Sequence, residues 1–551
     1  MTGNFRPETE KHPPPHWEWL YLAGLALAGA ALFFWRLGVP GLMDPDEGRY
    51  AEIGREILLL KDWLIPHLNL VPYLEKPPLM YWLTALSFGG LGQTELAARL
   101  PSALSALAGV FLAYGLGRAL WGPGAAWAGA LVLATCAGYL ALGRLLTLDM
   151  TFTLFLSLAL GLGYLALGHE RPRLWPWAYG ALALAVLIKG PVALVLAGLI
   201  WGSWTLITRR PLKSLMQPRC WLLFAVLVLP WFLWVQWRYP EFFGYFLLEQ
   251  HLGRFLGAQM HPRPLYYYLP LLLGLMLPWT WLLPWALARK GPTADPGRLF
   301  LWLWAGVVLI FFSLSRGKLP SYILPALMPL ALLLGEALAA TARGGEGWRG
   351  WVGLRASLVL WALAGWLLLV LYWRAPGPLA PALARAALFE PFLPWGLAAF
   401  ALTPTVTLMW HRPYLLLAGA LLLSTLVPLV MEEVSLWRSP REAGLALKSR
   451  WCPGAALVGF QRYSPGISFY SGQPFHILEL QSELDFGRRL SPESGLFFPG
   501  PAQAAAFARA RGRVFFFMRP ELLPEFKQYL PGNYLPMARY RDCLLLAYEG
   551  K

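Results

Sequence analysis

Thirteen apolar runs, each near the roughly 20 residues needed to cross a bilayer, constrain this 551-residue chain more than any other feature. They begin at about 17–37, 99–118, 124–143, 150–168, 174–188, 191–207 and 221–237, and continue at 267–287, 298–314, 320–340, 351–373, 392–410 and 414–431. Hydrophobic residues make up 57% of the chain and charged ones 14%, against about 45–50% and about 25% in globular domains. A polytopic α-helical membrane protein follows. The polar, Pro-rich Met1–His16 has no small-residue cleavage site after the first run, so that run reads as a retained anchor. The net charge of +16 invites a nucleic-acid reading, but no Lys/Arg-rich run with interleaved aromatics carries it. Asn4, Asn69 and Asn533 stand outside any N-glycosylation sequon.

Orientation comes from the loops. With thirteen spans and the N-terminus inside, the basic loops at 169–173, 207–220 and 289–298 all face the cytoplasm, as the positive-inside rule requires. Counting the short, Gly-interrupted Leu79–Leu91 as a further span would put all three outside, so it reads as an interfacial or re-entrant helix. The chain then divides into a membrane domain at 1–431, with outer-loop helices within 38–98, and an exported domain at 432–551. Short β-like runs at 455–460, 514–517 and 544–548, set between turn residues, predict a small α/β fold for the exported part. Cys452 and Cys543 lie near its two ends; a disulfide between them and two free thiols are both open.

Chemistry concentrates at the outer boundary. Asp44, Asp46 and Glu47 cluster after the first span, more acid than a plain helix cap needs. A carboxylate there can act as a general base or help hold a cation. Asp149 stands among apolar neighbours at the outer edge of the fourth span, a costly position that marks a functional candidate. A salt bridge to Arg144 is its simpler explanation, and pairing with Asp46 is the sharper one. Lys76, Lys189, Arg254, Arg316 and Lys318 also fall outside, against the orientation rule. One such base would be snorkelling; five suggest an anionic ligand, and phosphate fits. Acids and bases together at the lipid boundary point to a lipid-linked phosphate substrate. Glu75, Glu249, His251 and His261 can ligate a divalent ion, but no HExxH, CxxC pair or His tract supports one. No G-x-S-x-G, P-loop or strand-flanked G-x-G-x-x-G occurs, which argues against serine hydrolysis, a nucleotide or a Rossmann cofactor.

The segments DPDEGRYAEIGREILLLKDWLIP, YLEKPPLMYWL, RLPSALSALAG, TLDMTFTLF and RGKLPSYILPALMPLALL occur in that order over about 17–340. In them the chain resembles the polyprenyl-phosphate-dependent glycosyltransferases of the GT-C class, and within that class the aminoarabinose transferases that modify lipid A, relatives of the protein O-mannosyltransferases. The resemblance implies a GT-C fold of about 13 transmembrane helices with a C-terminal exported α/β domain, in a bacterial inner membrane. It implies transfer, with inversion, of a sugar such as aminoarabinose or a hexose from a polyprenyl (undecaprenyl) phosphate donor to a lipid or protein acceptor outside. By motif position Asp46 matches the catalytic carboxylate, with Glu47 beside it, and Asp149 the second essential acid. Lys76, Lys189, Arg254 and Tyr322 match lipid-phosphate contacts, with Lys318 beside them; Glu75 matches a metal ligand, with His251 or Glu249 as partner. A divalent metal (zinc, magnesium or manganese) and a monomeric state are further expectations. The rival reading is a secondary transporter of an anionic solute or lipid. Its sites would lie at the bilayer midplane, where these ionisable residues do not cluster.

Overall fold

A computed structural model describes residues 15–253, 255, 257, 263–344, 348–374 and 392–549. Every predicted span falls on a helix or helix pair. The first are α1 (Pro15–Phe34), α2 (Asp46–Leu60), α3 (Leu79–Leu91), α4 (Glu95–Trp121), α5 (Pro123–Thr135), α6 (Ala137–Gly143), α7 (Leu148–Gly168), α8 (Trp175–Lys189) and α9 (Val192–Ile207). Among the described residues eight helices are individually long and apolar enough to cross a membrane, or up to ten if each of two bent pairs counts as one span. The chain is thus a multi-pass membrane protein. The bent pairs are α5 with α6, at 66°, and Leu265–Leu275 with Trp279–Arg289, at 108°. The two bends meet, because Ala137 N donates to Leu277 O at 2.8 Å. Helix Leu327–Ala342 crosses α5 so closely that a Cβ on Gly335 would strike the backbone of Gly129, the small-residue contact that lets apolar helices associate in lipid.

The outer loop forms α2, a two-residue hairpin and α3. Strands β1 (His67–Leu68) and β2 (Val71–Pro72) pair antiparallel, and Asn69 and Leu70 between them both have φ near +60°, the conformation that matches the twist of a tight hairpin. α3 is 13 residues long, about 20 Å at 1.5 Å per residue, too short to span. It packs between α2 and α4.

The C-terminal domain, termed the exported domain after the sequence expectation, is a six-stranded sheet in the order β5-β4-β3-β6-β8-β7. Its strands are β3 (Ala456–Phe460), β4 (Phe475–Leu478), β5 (Phe497–Phe498), β6 (Val514–Met518), β7 (Asn533–Tyr540) and β8 (Cys543–Glu549). β3 to β6 run parallel, and β8 and β7 close the sheet antiparallel. The three strand runs expected from sequence are β3, β6 and β8. Strands β3, β6 and β8 are buried on both faces, which explains their unbroken apolar runs. Val458, Phe460, Phe516, Met518 and Leu546 pack on the domain's own helices 501–509 and 523–529. Leu457, Phe475, Ile477, Phe515 and Leu545 belong to the same buried cluster as the membrane helices. The last bundle helix, Leu426–Arg438, runs seven residues past 431 before the first exported helix, Arg441–Arg450. Cys452 and Cys543 are both free thiols. Burial raises the Cys543 thiol to about 11, so at neutral pH it is protonated and a poor partner for disulfide exchange.

Candidate functional site

A cavity of about 580 Å³ opens where the outer loop, the bundle and the exported domain meet. Its polar lining comes from six places in the chain. Asp46 and Arg49 sit in the first turn of α2, Glu75 and Lys76 precede α3, and Lys189 ends α8. His251 comes from the π-helix Gly244–Gly253, and Lys318 and Tyr322 from the turn before Leu327–Ala342. Glu483 arrives from the exported domain. Val192, Val195, Leu247, Leu252, Phe311 and Phe312 supply an apolar wall.

Local chemistry fixes each group. α8 stops after Lys189 because Gly190, at φ +83° and ψ −157°, takes a backbone conformation open to glycine, and Pro191 follows. A Cβ on Gly190 would also come within 2.7 Å of His251 Nε2. Lys189 ion-pairs with Asp149 and stands 4.4 Å from the centre of the Tyr322 ring, so its ammonium is held between a carboxylate and a π face. Lys318 is 4% exposed and donates to Ser315 O and Arg263 O. Asp46 keeps 56% of its side chain exposed, with Arg49 Nη1 3.5 Å away. Arg49 in turn forms a two-pronged bond to Glu483, at 2.9 and 2.8 Å. Burial, together with the charges of Glu75 and Asp46, raises the Glu483 carboxyl above its ordinary range, while Arg49 pulls it back.

Seven sequence candidates therefore share one cavity: Asp46, Glu75, Lys76, Lys189, His251, Lys318 and Tyr322. Others do not. Glu47 does not join Asp46: it turns inward, ion-pairs with Arg99 at 2.7 and 2.8 Å, and accepts from Met43 N and Leu146 N. With both oxygens engaged and 2% exposure, it serves the frame. Asp149 bonds neither to Arg144 nor to Asp46. Arg144 donates to Leu32 O and Trp35 O instead, and Asp149 reaches the cavity through Lys189. Arg316 and Glu249 are exposed and lie off the lining. Arg254 and His261 fall outside the described residues.

Glu75 and His251, the metal ligands expected from sequence, both line the cavity. No group of three or more His, Cys, Asp or Glu side chains able to hold an ion occurs among the described residues. His251 Nδ1 lies 2.6 Å from Phe246 O and Nε2 3.3 Å from Lys189 O, so both ring nitrogens face backbone carbonyls. The residues missed by sequence reasoning are Arg49 as a bridge and Glu483, which lies 434 positions away from it; nothing in QSELDFGRRL marks Glu483 in advance.

A helical bundle bearing a C-terminal sheet domain, with an acid–base cavity at their junction, resembles the polyprenyl-phosphate-dependent glycosyltransferases of the GT-C class. Residues 75–234 match the family model for dolichyl-phosphate-mannose-protein mannosyltransferases. In fold the chain resembles ArnT from Cupriavidus metallidurans bound to undecaprenyl phosphate, with a TM-score of 0.83, 25% identity, and 97% and 98% of the two chains covered. It is 39% identical over 325 residues to an undecaprenyl phosphate-alpha-4-amino-4-deoxy-L-arabinose arabinosyl transferase of Pseudomonas fluorescens, covering 56% of this chain and 58% of that one. A Pseudomonas paraeruginosa protein of the same description is 39% identical over 350 residues, covering 62% and 64%. The match thus spans less than two thirds of either relative's length. An Archaeoglobus fulgidus oligosaccharyltransferase shares the fold at TM-score 0.52 and 13% identity, over 95% of this chain and 73% of that one.

Proposed function

We propose that this protein transfers a sugar from a polyprenyl-phosphate donor to an acceptor at the outer face of a bacterial inner membrane, with the exported domain on that side. One observation carries the reading. A single cavity combines a solvent-accessible carboxylate, three lysines and an apolar wall, which suits a charged phosphate joined to a hydrocarbon tail. Lys76, Lys189 and Lys318, with Tyr322, would hold the donor phosphate; Val192, Val195 and Phe311 would take the first prenyl units. The acceptor oxygen attacks the anomeric carbon as the bond from that carbon to the phosphate oxygen breaks, so configuration inverts. The leaving polyprenyl phosphate gains charge, and the lysines that line the cavity would stabilise that charge. Asp46 orients the acceptor and takes its proton where the acceptor is a hydroxyl; a phosphate acceptor would need orientation alone. By analogy with the arabinosyl transferases the sugar is aminoarabinose and the acceptor a lipid A-like glycolipid.

A transporter fits less well, since the ionisable lining gathers at the outer mouth where the exported domain covers it. The test is purified protein with undecaprenyl-phosphate aminoarabinose and lipid A, run beside hexosyl donors and protein acceptors. Modified lipid A in the wild type, with none from Asp46→Asn, supports the reading. Solute flux in liposomes without any transfer sinks it.

A further inference from the structure

We infer that Asp44 is a positioning residue through which the exported domain holds the turn that aims Asp46 into the cavity. The inference rests on the glycosyl-transfer reading for what Asp46 does, and on geometry alone for how it is held.

Asp44 is 4% exposed; its backbone N donates to Arg438 O at the end of the last bundle helix, at 3.3 Å, while its carboxylate and carbonyl bond to the exported domain. Ser464 Oγ donates to its Oδ2, and Gly466 N donates to Oδ1 at 3.0 Å. Its main-chain carbonyl accepts from Arg541 Nη2 at 2.6 Å. On the opposite side, Glu47 is gripped by Arg99 and by Leu146 N at 2.8 Å, three residues before Asp149. The turn 44–47 is therefore clamped from the exported domain at one end and from the bundle at the other, and Asp46 projects between the two grips. Space agrees with hydrogen bonding. A Cβ on Gly48 would collide with Asp44 Oδ1 and come within 2.6 Å of Gly466 N; one on Gly466 would come within 2.6 Å of Asp44 Oδ1. Two facing glycines bring the exported backbone onto the carboxylate, closer than mere attachment of a domain requires.

Attachment alone is the competing explanation, and Asn69 provides its control. That side chain, 0% exposed, exchanges two bonds with the backbone of Phe475, at 3.0 and 2.7 Å, so it ties the same two parts together without touching the turn. The experiment uses the full-length purified protein and its Asp44→Ala, Asp44→Asn, Ser464→Ala and Asn69→Ala variants. Amide hydrogen exchange over 42–49, melting temperature, and kcat and KM for the undecaprenyl-phosphate donor are read for each. Asp44→Ala should speed exchange at 42–49 and lower kcat about 10–100-fold, the scale of a roughly 1 Å misplacement, with donor KM little changed. Asp44→Asn, which still accepts from Gly466 N, should recover part of both. Asn69→Ala should lower the melting temperature while leaving 42–49 exchange and kcat near wild type. Unchanged exchange at 42–49 in Asp44→Ala overturns the inference, as does an equal kcat loss in Asn69→Ala. If Asp44→Ala fails to fold, Ser464→Ala decides by the same exchange readout. A wild type that transfers nothing from any polyprenyl-phosphate donor defeats the functional reading instead, and the exchange result still judges the clamp.

Discussion

Asp46 leaves more than half of its side chain in the cavity, whereas Asp44 and Glu47, within four residues of it, are 4% and 2% exposed. Asp46→Asn should therefore cost about 10²–10⁴-fold in kcat, the range for losing a general base, with the melting temperature within a degree or two; undiminished turnover would rule Asp46 out. Asp44 supports a prediction in pH. Burial pushes its carboxyl up to about 6 against the pull of Ser464, Arg541, Gly466 and Arg49, and the Tyr540 hydroxyl also faces it. Its folded state therefore binds a proton more tightly than the unfolded one. That contribution to stability is complete below about pH 4 and is lost as pH rises through about 6, and it amounts to about 3 kcal/mol at most. Asp44→Asn cannot titrate, so the stability gap between wild type and variant should move in the variant's favour between pH 4 and 7. A gap constant with pH refutes this. Sequence showed Asp46 and the outer lysines because an ionisable residue in an apolar setting stands out by itself. It could not rank Asp44, Asp46 and Glu47, since burial is decided by Ser464 and Gly466 on one side and Arg99 on the other. It could not show Glu483 at all.

Among the elements, α8 carries the most consequence per residue. Its Gly190–Pro191 stop sets Lys189 at the lip of the cavity, with Asp149 of α7 behind it. Both are at most 8% exposed, and removing one partner of a buried pair leaves an uncompensated charge, at about 3–5 kcal/mol. Lys189→Met alone should thus lower the melting temperature and weaken undecaprenyl-phosphate binding together. Adding Asp149→Asn should restore stability while binding stays weak. Recovery of both, measured by melting and ligand titration, would show that Lys189 has no contact with the donor phosphate. The helices themselves were legible because apolar length is written locally. Their bends at Cys136 and Pro278 were not, since apolar composition is the same on both sides of each. β3, β6 and β8 were visible as dense apolar runs. β4, β5 and β7 were missed: β5 is two residues long, and β7, an edge strand, mixes exposed polar residues and a Pro.

At the scale of the whole molecule, composition announced a membrane protein and a basic one, and the fold gathers Lys76, Lys189 and Lys318 of that positive charge at one cavity. What composition could not convey is that the exported domain shares a core with the bundle: one face of its sheet, through Leu457, Phe475 and Phe515, lies in the same buried cluster as the membrane helices. Glu483 and Arg49 close the cavity across that junction, and Tyr245 of the π-helix stacks on Phe486 with ring centres 3.8 Å apart. A ligand in the cavity therefore touches both parts at once. Anything that binds the folded state alone stabilises it, by about 2.7 kcal/mol at 100 times its dissociation constant. Undecaprenyl phosphate at that excess should slow amide exchange in 475–490 of the exported domain as well as in 186–192 of the bundle, and should raise one melting transition without splitting it. Protection confined to the bundle, or two transitions of which one ignores the ligand, would mean that the shared core does not couple the two parts and that the exported domain merely sits over the site.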